Sequence, residues 1–294
     1  MTVARWGLGL TGLTLLLALV AGFLGALHPA GDSLAVFRAQ VTALLALVAV
    51  LGLALGARRS GAVGLIAALA AGAPLLAAYQ LPATPGALRL YQKNMLFRND
   101  ALPALVADIR AAVPDVVTLQ EVSAPNRVVL ADLADILPHQ VMCPVSTVGG
   151  LAVLTRLPPV PGTETCAKGL AALQVQAPQG RIWLVSVHLS WPWPYGQAAH
   201  LAVVLPVIKA LEGPVAIAGD FNMVPWSHAL AEVRRAARVT AAGPVRGSFP
   251  EFGRLLTLPI DHVMAPGGGA VALRPHLGSD HLGLLADLTV WTAD

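Results

Sequence analysis

The stretch from Ala216 to Ser227, AIAGDFNMVPWS, runs small apolar residues into Gly219 and then sets Asp220 and Asn222 on either side of Phe221. On an extended backbone, side chains two apart share a face. A carboxylate and a carboxamide paired in this way can grip a metal ion or a phosphate group. The same residue types also make turns, since Asp and Asn bond their own backbone and Gly accepts unusual dihedrals. The rest of the chain repeats the theme. Asn94 follows LRLYQK, Gln120 and Glu121 follow DVVTL, and His188 follows IWLVSV. Asp261 and His262 follow LTLPI, and Asp280 and His281 precede LGLLADL. Singly, each is a cap or a surface group. Together, in a chain with 12% charged residues, they point to strand ends that gather at one site.

The segments that must carry them read as follows. LRLYQKNML is a strand, residues 100–112 form a helix that stops before Pro114, and DVVTLQEV is a buried strand. Residues 126–137 read as one helix. GGLAVLTR, AALQVQA and RIWLVSVHL are strands, the last two joined by a turn at Pro178-Gln179-Gly180. Helices are expected at 196–211 and 227–238, on either side of the strand PVAIAGD. LTLPIDHVMA, AVALRP and GLLADLTVW follow as strands. Strands outnumber helices and several neighbours look like hairpins. That favours an α/β (α+β) arrangement of packed mixed sheets with helices outside, not a regularly alternating parallel sheet.

Composition separates the front of the chain from this part. Of 294 residues, 56% are hydrophobic, and the charged fraction is well below the roughly 25% of average soluble proteins. Residues 6–27, 39–57 and 61–79 are long apolar runs. A bilayer-crossing helix needs roughly 20 apolar residues, about 17 at the least, so three membrane helices are expected. The first run also exceeds the roughly 7–15-residue apolar core of a cleaved signal peptide. Residues 1–84 are thus read as a membrane anchor and 85–294 as one further domain, with the Pro/Gly linker LPATPGA (Leu81 to Ala87) between them. Basic residues favour the cytoplasmic side. Placing Arg5, Arg58 and Arg59 there carries everything after three crossings to the opposite side. Removing the four arginines and one aspartate of residues 1–84 from 19 basic and 16 acidic residues leaves 15 of each. A neutral domain is a poor footprint for non-specific nucleic-acid binding, which rests on Lys and Arg neutralising phosphates. Cys143 and Cys166 both fall in this domain and read equally as a disulfide or as two buried thiols.

The ordered set Asn94, LQEV, GGLAVLTR, SVHLSW, AGDFN, IDHV and SDHLGLLADL resembles the endonuclease/exonuclease/phosphatase (DNase I-like) superfamily of metal-dependent phosphoesterases, over about residues 88–291. It is most similar to membrane-anchored bacterial members, which implies a multi-pass protein of the inner (cell) membrane with its catalytic domain in the periplasm or exterior. The resemblance implies a four-layer sandwich of two mixed β-sheets flanked by helices. It also implies Mg²⁺, with Mn²⁺ as a substitute, bound by Glu121, with Asn94 beside it and Asp280 as a second carboxylate. Hard oxygen donors and one or two carboxylates suit that ion. Asp220 would then orient or deprotonate the attacking water and Asn222 would hold a phosphate oxygen. His281 would stabilise the phosphoryl oxygens or act as an acid, Asp261 would orient its ring, and His188 would be a second histidine donor. Where many members carry a polar residue two positions after the first Asn, this chain has Leu96.

His262 is expected on the opposite face from Asp261, and His139, His200, His228 and His276 are read as structural or exposed. The loop HLSWPWPYGQ, from His188 to Gln197, alternates Trp191, Trp193 and Tyr195 with prolines. It reads as buried packing, as a wall for substrate, or as an aromatic edge at a membrane interface. The substrate class is a phosphate ester: a lipid headgroup, a nucleotide or a nucleic acid. The leading expectation is a phosphodiesterase or phosphatase. An extracytoplasmic endonuclease or exonuclease and a non-catalytic membrane-associated binding module are its rivals. No protein partner is deducible.

Overall fold

The computed structural model describes residues 2–80, 83–146, 149–251 and 256–291; Leu81 and Pro82, the start of the expected linker, lie outside them. Four helices come first: α1 (Thr2–Ala21), α2 (Ala30–Val36), α3 (Arg38–Ala54) and α4 (Arg58–Gln80). Then follow β1 (Leu88–Asn94), α5 (Leu102–Ala112), β2 (Val116–Val122), α6 (Val128–Asp132), β3 (His139–Ser146), β4 (Gly149–Thr155), β5 (Thr165–Ala167), β6 (Leu170–Ala177) and β7 (Gly180–His188). The remainder is α7 (Gln197–Ala210), β8 (Val215–Asp220), α8 (His228–Ala237), β9 (Thr240–Ala241), β10 (Phe249–Glu251), β11 (Leu256–Leu258), β12 (Asp261–Ala265), β13 (Gly269–Arg274) and β14 (Gly283–Leu288).

The strands form two six-stranded sheets, β13-β14-β1-β2-β4-β3 and β5-β6-β7-β8-β12-β9, with β10-β11 as a small separate pair. Each large sheet is mixed. The β1–β2 and β7–β8 pairs are parallel and the other pairs antiparallel. Alternation explains the layers. Leu88 and Leu90 of β1, Ile182 and Leu184 of β7, and Ala216 and Ala218 of β8 share the core between the sheets. Tyr91, Val117 and Leu119 turn the other way, against Leu105 and Ile109 of α5 and Leu133. Val185 and Ile217 do so on the second sheet, against Val204 and Ile208 of α7 and Val233 of α8. The expected helix–sheet–sheet–helix order is therefore present.

Some elements differ from the sequence reading. The segment expected as one helix over 126–137 is a 3₁₀ turn at Pro125–Arg127 followed by the five-residue α6. Leu133 and Leu137, beyond its end, are both fully buried in the core beneath the first sheet. Strand β3 had no expectation; Pro144 within it is tolerated because β3 is a sheet edge.

Three membrane helices were expected; among the described residues two are by themselves long and apolar enough to cross, Val3–Ala21 and Arg58–Gln80, and a third span arises only if the bent pair α2 and α3 counts as one. The middle run is shortened. Helix α3 has 17 residues, begins at the charged Arg38, and is bent by 67° from α2. Helix α2 lies against the sandwich instead of extending the span, with Asp32 accepting bonds from the backbone N–H of His228 (2.7 Å) and Ala229 (2.8 Å). The Arg38 guanidinium donates to the Gly22 and Trp226 carbonyls. At the other end of the helices, Arg5 donates to Leu55 O. Helices α1 and α3 are thus antiparallel.

Cys143 of β3 and Cys166 of β5 form a disulfide. These strands are the edges of different sheets, so the bond ties the two sheets together at one side. Replacing both cysteines by serine is expected to lower stability by about 2–4 kcal/mol, the usual effect of releasing a closed loop of this order. Urea unfolding of the full chain in detergent measures it; an unchanged midpoint would show that the bond contributes nothing.

Candidate active site

At one end of the sandwich the inner faces of both sheets change from apolar to polar. On β1, Leu88 and Leu90 are followed at the same parity by Gln92 and Asn94. On β8, Ala216 and Ala218 are followed by Asp220, and β7 and β12 present His188 and Asp261 beside it. The register places Asp220 directly between His188 and Asp261. Gly219 permits this close pairing, since a Cβ there would collide with the Val187 carbonyl.

Asp220 and Asp261 are almost completely sealed from water, and His281 stands between them. His281 Nδ1 lies 2.7 Å from Asp261 Oδ2 and its Nε2 lies 3.7 Å from Asp220 Oδ2. His188 Nε2 approaches the same Asp220 oxygen at 3.5 Å. Burial disfavours an imidazolium, but Asp261 and Asp220 outweigh it and raise the His281 pKa to about 10. Burial likewise opposes ionisation of Asp261, yet His281 and hydrogen bonds from Ser248 and Gln92 hold it below the usual carboxylate range. For Asp220, burial wins and its pKa is raised.

Beside this group, Asn94 Nδ2 donates to both Asp220 Oδ2 (3.0 Å) and Glu121 Oε1 (3.1 Å). Simple alternation would send Glu121 outward with Val117 and Leu119. A register shift between Leu119 and Val122, and φ of +58° at Glu121, turn it back toward Asn94. The Phe97 N–H completes its support at 2.9 Å. A left-handed backbone on a non-glycine residue is strained. Here it recurs at Leu96 (φ 62°), Glu121 and Asn222 (φ 48°).

The structure therefore brings Asn94, Glu121, His188, Asp220, Asp261 and His281 together. It places two other expected residues differently. Strand β8 ends at Asp220, so Asn222 does not share its face by strand alternation. Instead its backbone N–H donates to Asp220 Oδ1 (2.8 Å), its Nδ2 donates to Leu189 O (2.8 Å), and its Oδ1 is buried without a partner. The turn reading of GDFN thus holds, and the turn fixes the Asp220 carboxylate. Asp280 is exposed, next to Ser279. His262 faces away and bonds Met223 O at 2.7 Å, and burial takes its pKa down to about 4. His200 is tied to Ser190 and Lys168.

Supporting residues went unassigned in the sequence. Gln92 Nε2 bridges Gln120 (2.9 Å) and Asp261 (2.8 Å), and Gln120 reaches across to Ser186 on the second sheet (3.0 Å). Buried Lys93 donates to the carbonyls of His281 (2.6 Å) and Pro275 (3.1 Å), and burial lowers its pKa to about 8. Ser279 Oγ donates to Asn94 O and accepts from the His281 N–H. The available signal was a polar residue at the same parity as Asn94 in an apolar strand, which Gln92 satisfies.

Two donor sets could hold a cation. One is Asn94 with Glu121. The other is Asp220, Asp261 and His281, whose ligand atoms all lie within 4.8 Å of one another. In the second, His281 Nδ1 is engaged by Asp261 and the ring is cationic, which makes it a poor ligand. The half-buried carboxylate of Glu121 fits a hard ion that keeps several waters, while Asn94 meets it with Nδ2 and has its Oδ1 on the Leu96 N–H (3.1 Å).

A two-sheet sandwich with carboxylates, histidines and an asparagine gathered at one end defines a phosphoesterase-like class of site. The chain belongs to the endonuclease/exonuclease/phosphatase family, whose model matches residues 91–281. Solved structures agree in fold. A family protein from Leptotrichia buccalis superposes with a TM-score of 0.55 at 15% identity, covering 69% of this chain and 100% of that one. D. rerio TDP2, humanized by 14 mutations, gives 0.54 at 19% identity, covering 68% and 97%. A Staphylococcus aureus beta toxin mutant with bound magnesium ions gives 0.50 at 12% identity, covering 69% and 100%. No curated protein matches the sequence.

The charge state of His281 is directly observable. Nitrogen-15 NMR of the ring should show no titration between about pH 5 and 8, the range in which an ordinary histidine changes charge. In an Asp261→Asn variant the ring should titrate within it, because burial then works against a weaker counter-charge. Titration of the unmodified ring near the ordinary value of about 6.5 contradicts the pairing described.

Proposed function

We propose that residues 85–294 form a metal-dependent phosphoester hydrolase domain held at a membrane by residues 1–84. The observation that carries this reading is the convergence of Asp220 on Asn94, His188 and His281 within hydrogen-bonding or ion-pairing range. Asp220 is the group that orients water and takes its proton; its raised pKa suits a base. Asn222 holds that carboxylate in place through its backbone N–H. His281, kept cationic by Asp261, supplies positive charge to the phosphoryl oxygens, and His188 is a second ring donor beside it. Glu121 and Asn94 are the residues that would hold Mg²⁺. When bound, such an ion neutralises charge on the phosphoryl and departing oxygens.

With the bent pair α2 and α3 taken as the third crossing, we read the domain as extracytoplasmic. Two features support this: a disulfide, rare in reducing compartments, and Arg5, Arg58 and Arg59 at the end of the helices remote from the sandwich.

The test uses the full chain in detergent with bis(para-nitrophenyl) phosphate and Mg²⁺. Asp220→Ala and His281→Ala should each reduce turnover by about 10²–10⁴-fold, the range for loss of a general acid or base, with urea midpoints confirming folding. A chelator should abolish activity and added Mg²⁺ restore it. Full rate in either folded variant, or in chelator, refutes the assigned roles.

A further inference from the structure

The aromatic loop after His188 meets the anchor. Ser33 Oγ of α2 donates to Trp193 O (2.6 Å), and the His28 and Trp193 rings are 6.0 Å apart. Between them lies a cavity of about 290 Å³ lined by Val36 and Phe37 from the anchor and Trp191, Trp193, Tyr195 and Leu258 from the catalytic domain. Ring contacts lead from its Trp191 wall to the site. Trp191 packs edge-on against Phe249 at 5.9 Å, and Phe249 lies 4.7 Å from His281. Its outer end is where the membrane helices emerge, since Phe37 immediately precedes α3, and Phe37 (43%), Trp193 (51%) and Tyr195 (74%) remain exposed.

We propose that the substrate is a lipid phosphoester whose alkyl chain lies in this groove while its phosphate sits at Asp220 and His281. The proposal rests on the phosphoesterase reading above and specifies its substrate class. Three features select a lipid. The walls are mostly aromatic and aliphatic: the Ser33 hydroxyl is already used, and the other side-chain polar groups are the indole N–H of Trp191 and Trp193 and the Tyr195 hydroxyl, on partly or largely exposed residues. A nucleobase there has few partners for its polar edge, a cost an alkyl chain does not incur. Trp and Tyr at the rim match the residues favoured where a membrane meets water. The groove is also fixed relative to the helices. Asp32 caps α8, Arg38 bonds Trp226 O, and Trp226 Nε1 donates to Ala35 O at 2.8 Å. A chain leaving the bilayer beside α3 would therefore meet the groove mouth in a constant orientation.

The probes are methyl, octyl and hexadecyl para-nitrophenyl phosphate, given to the full chain in detergent micelles. In each, water oxygen bonds to phosphorus, the aryl P–O bond breaks, and para-nitrophenolate leaves with the alkyl phosphate as second product. We expect kcat/KM to rise at least about tenfold from methyl to octyl, as burial of several methylenes allows. Phe37→Ser should lower the octyl-to-methyl ratio by a similar factor, and a ratio does not depend on how much protein is folded. A chain preference that survives Phe37→Ser is micelle partitioning and overturns the groove. Equal rates on all three esters, or preferential cleavage of a nucleoside para-nitrophenyl phosphate, overturn it too while the hydrolase reading stands. Turnover of none of these esters rejects the hydrolase reading itself.

Discussion

Two deeply buried carboxylates share one imidazolium at the end of this sandwich, and that arrangement constrains everything around it. An isolated buried charge costs several kcal/mol even after relaxation, and only pairing and hydrogen bonds offset it. Asp261 has His281, Gln92 and Ser248; Asp220 has Asn94, the Asn222 N–H and two histidines. These partners come from both sheets and from the turn before β14. The group exists only if the sheets close on each other in one register. The Gln92–Gln120–Ser186 chain continues that polar seam across the interface.

Much of this was legible in the sequence because strand alternation is strict. Asn94, His188, Asp220 and Asp261 all lie at the parity of the apolar residues that fill the space between the sheets, so they had to point inward. His262, one position off, had to point away, and it does. The reading failed where the backbone departs from a regular strand. Glu121 is at the wrong parity and reaches the site only through a bulge and a left-handed φ, and Asn222 leaves the strand altogether. The motif resemblance carried these two; alternation could not have placed them. Lys93 and Gln92 were missed because a buried polar residue inside an apolar strand has no local signal of its partner.

Apolar length alone predicts a regular span at the middle run, but α3 begins at a buried arginine that is committed to Gly22 and Trp226 carbonyls, and α2 before it is docked by Asp32 onto α8. The run is therefore a bent pair, which crosses only if α2 and α3 count as one span. Asp32 and Arg38, the two residues that weaken the apolar pattern between the first two runs, join the N-terminal helices to the sandwich and fix which edge of it faces them.

The account depends on a division of labour within the cluster: Glu121 and Asn94 for a cation, Asp220 and His281 for the ester and its water. Anomalous scattering from crystals of the full chain soaked in Mn²⁺ separates the alternatives in one experiment. The account requires a peak within bonding distance of the Glu121 carboxylate, on the side of Asn94. A peak seated between Asp261 and His281, with none at Glu121, would contradict it.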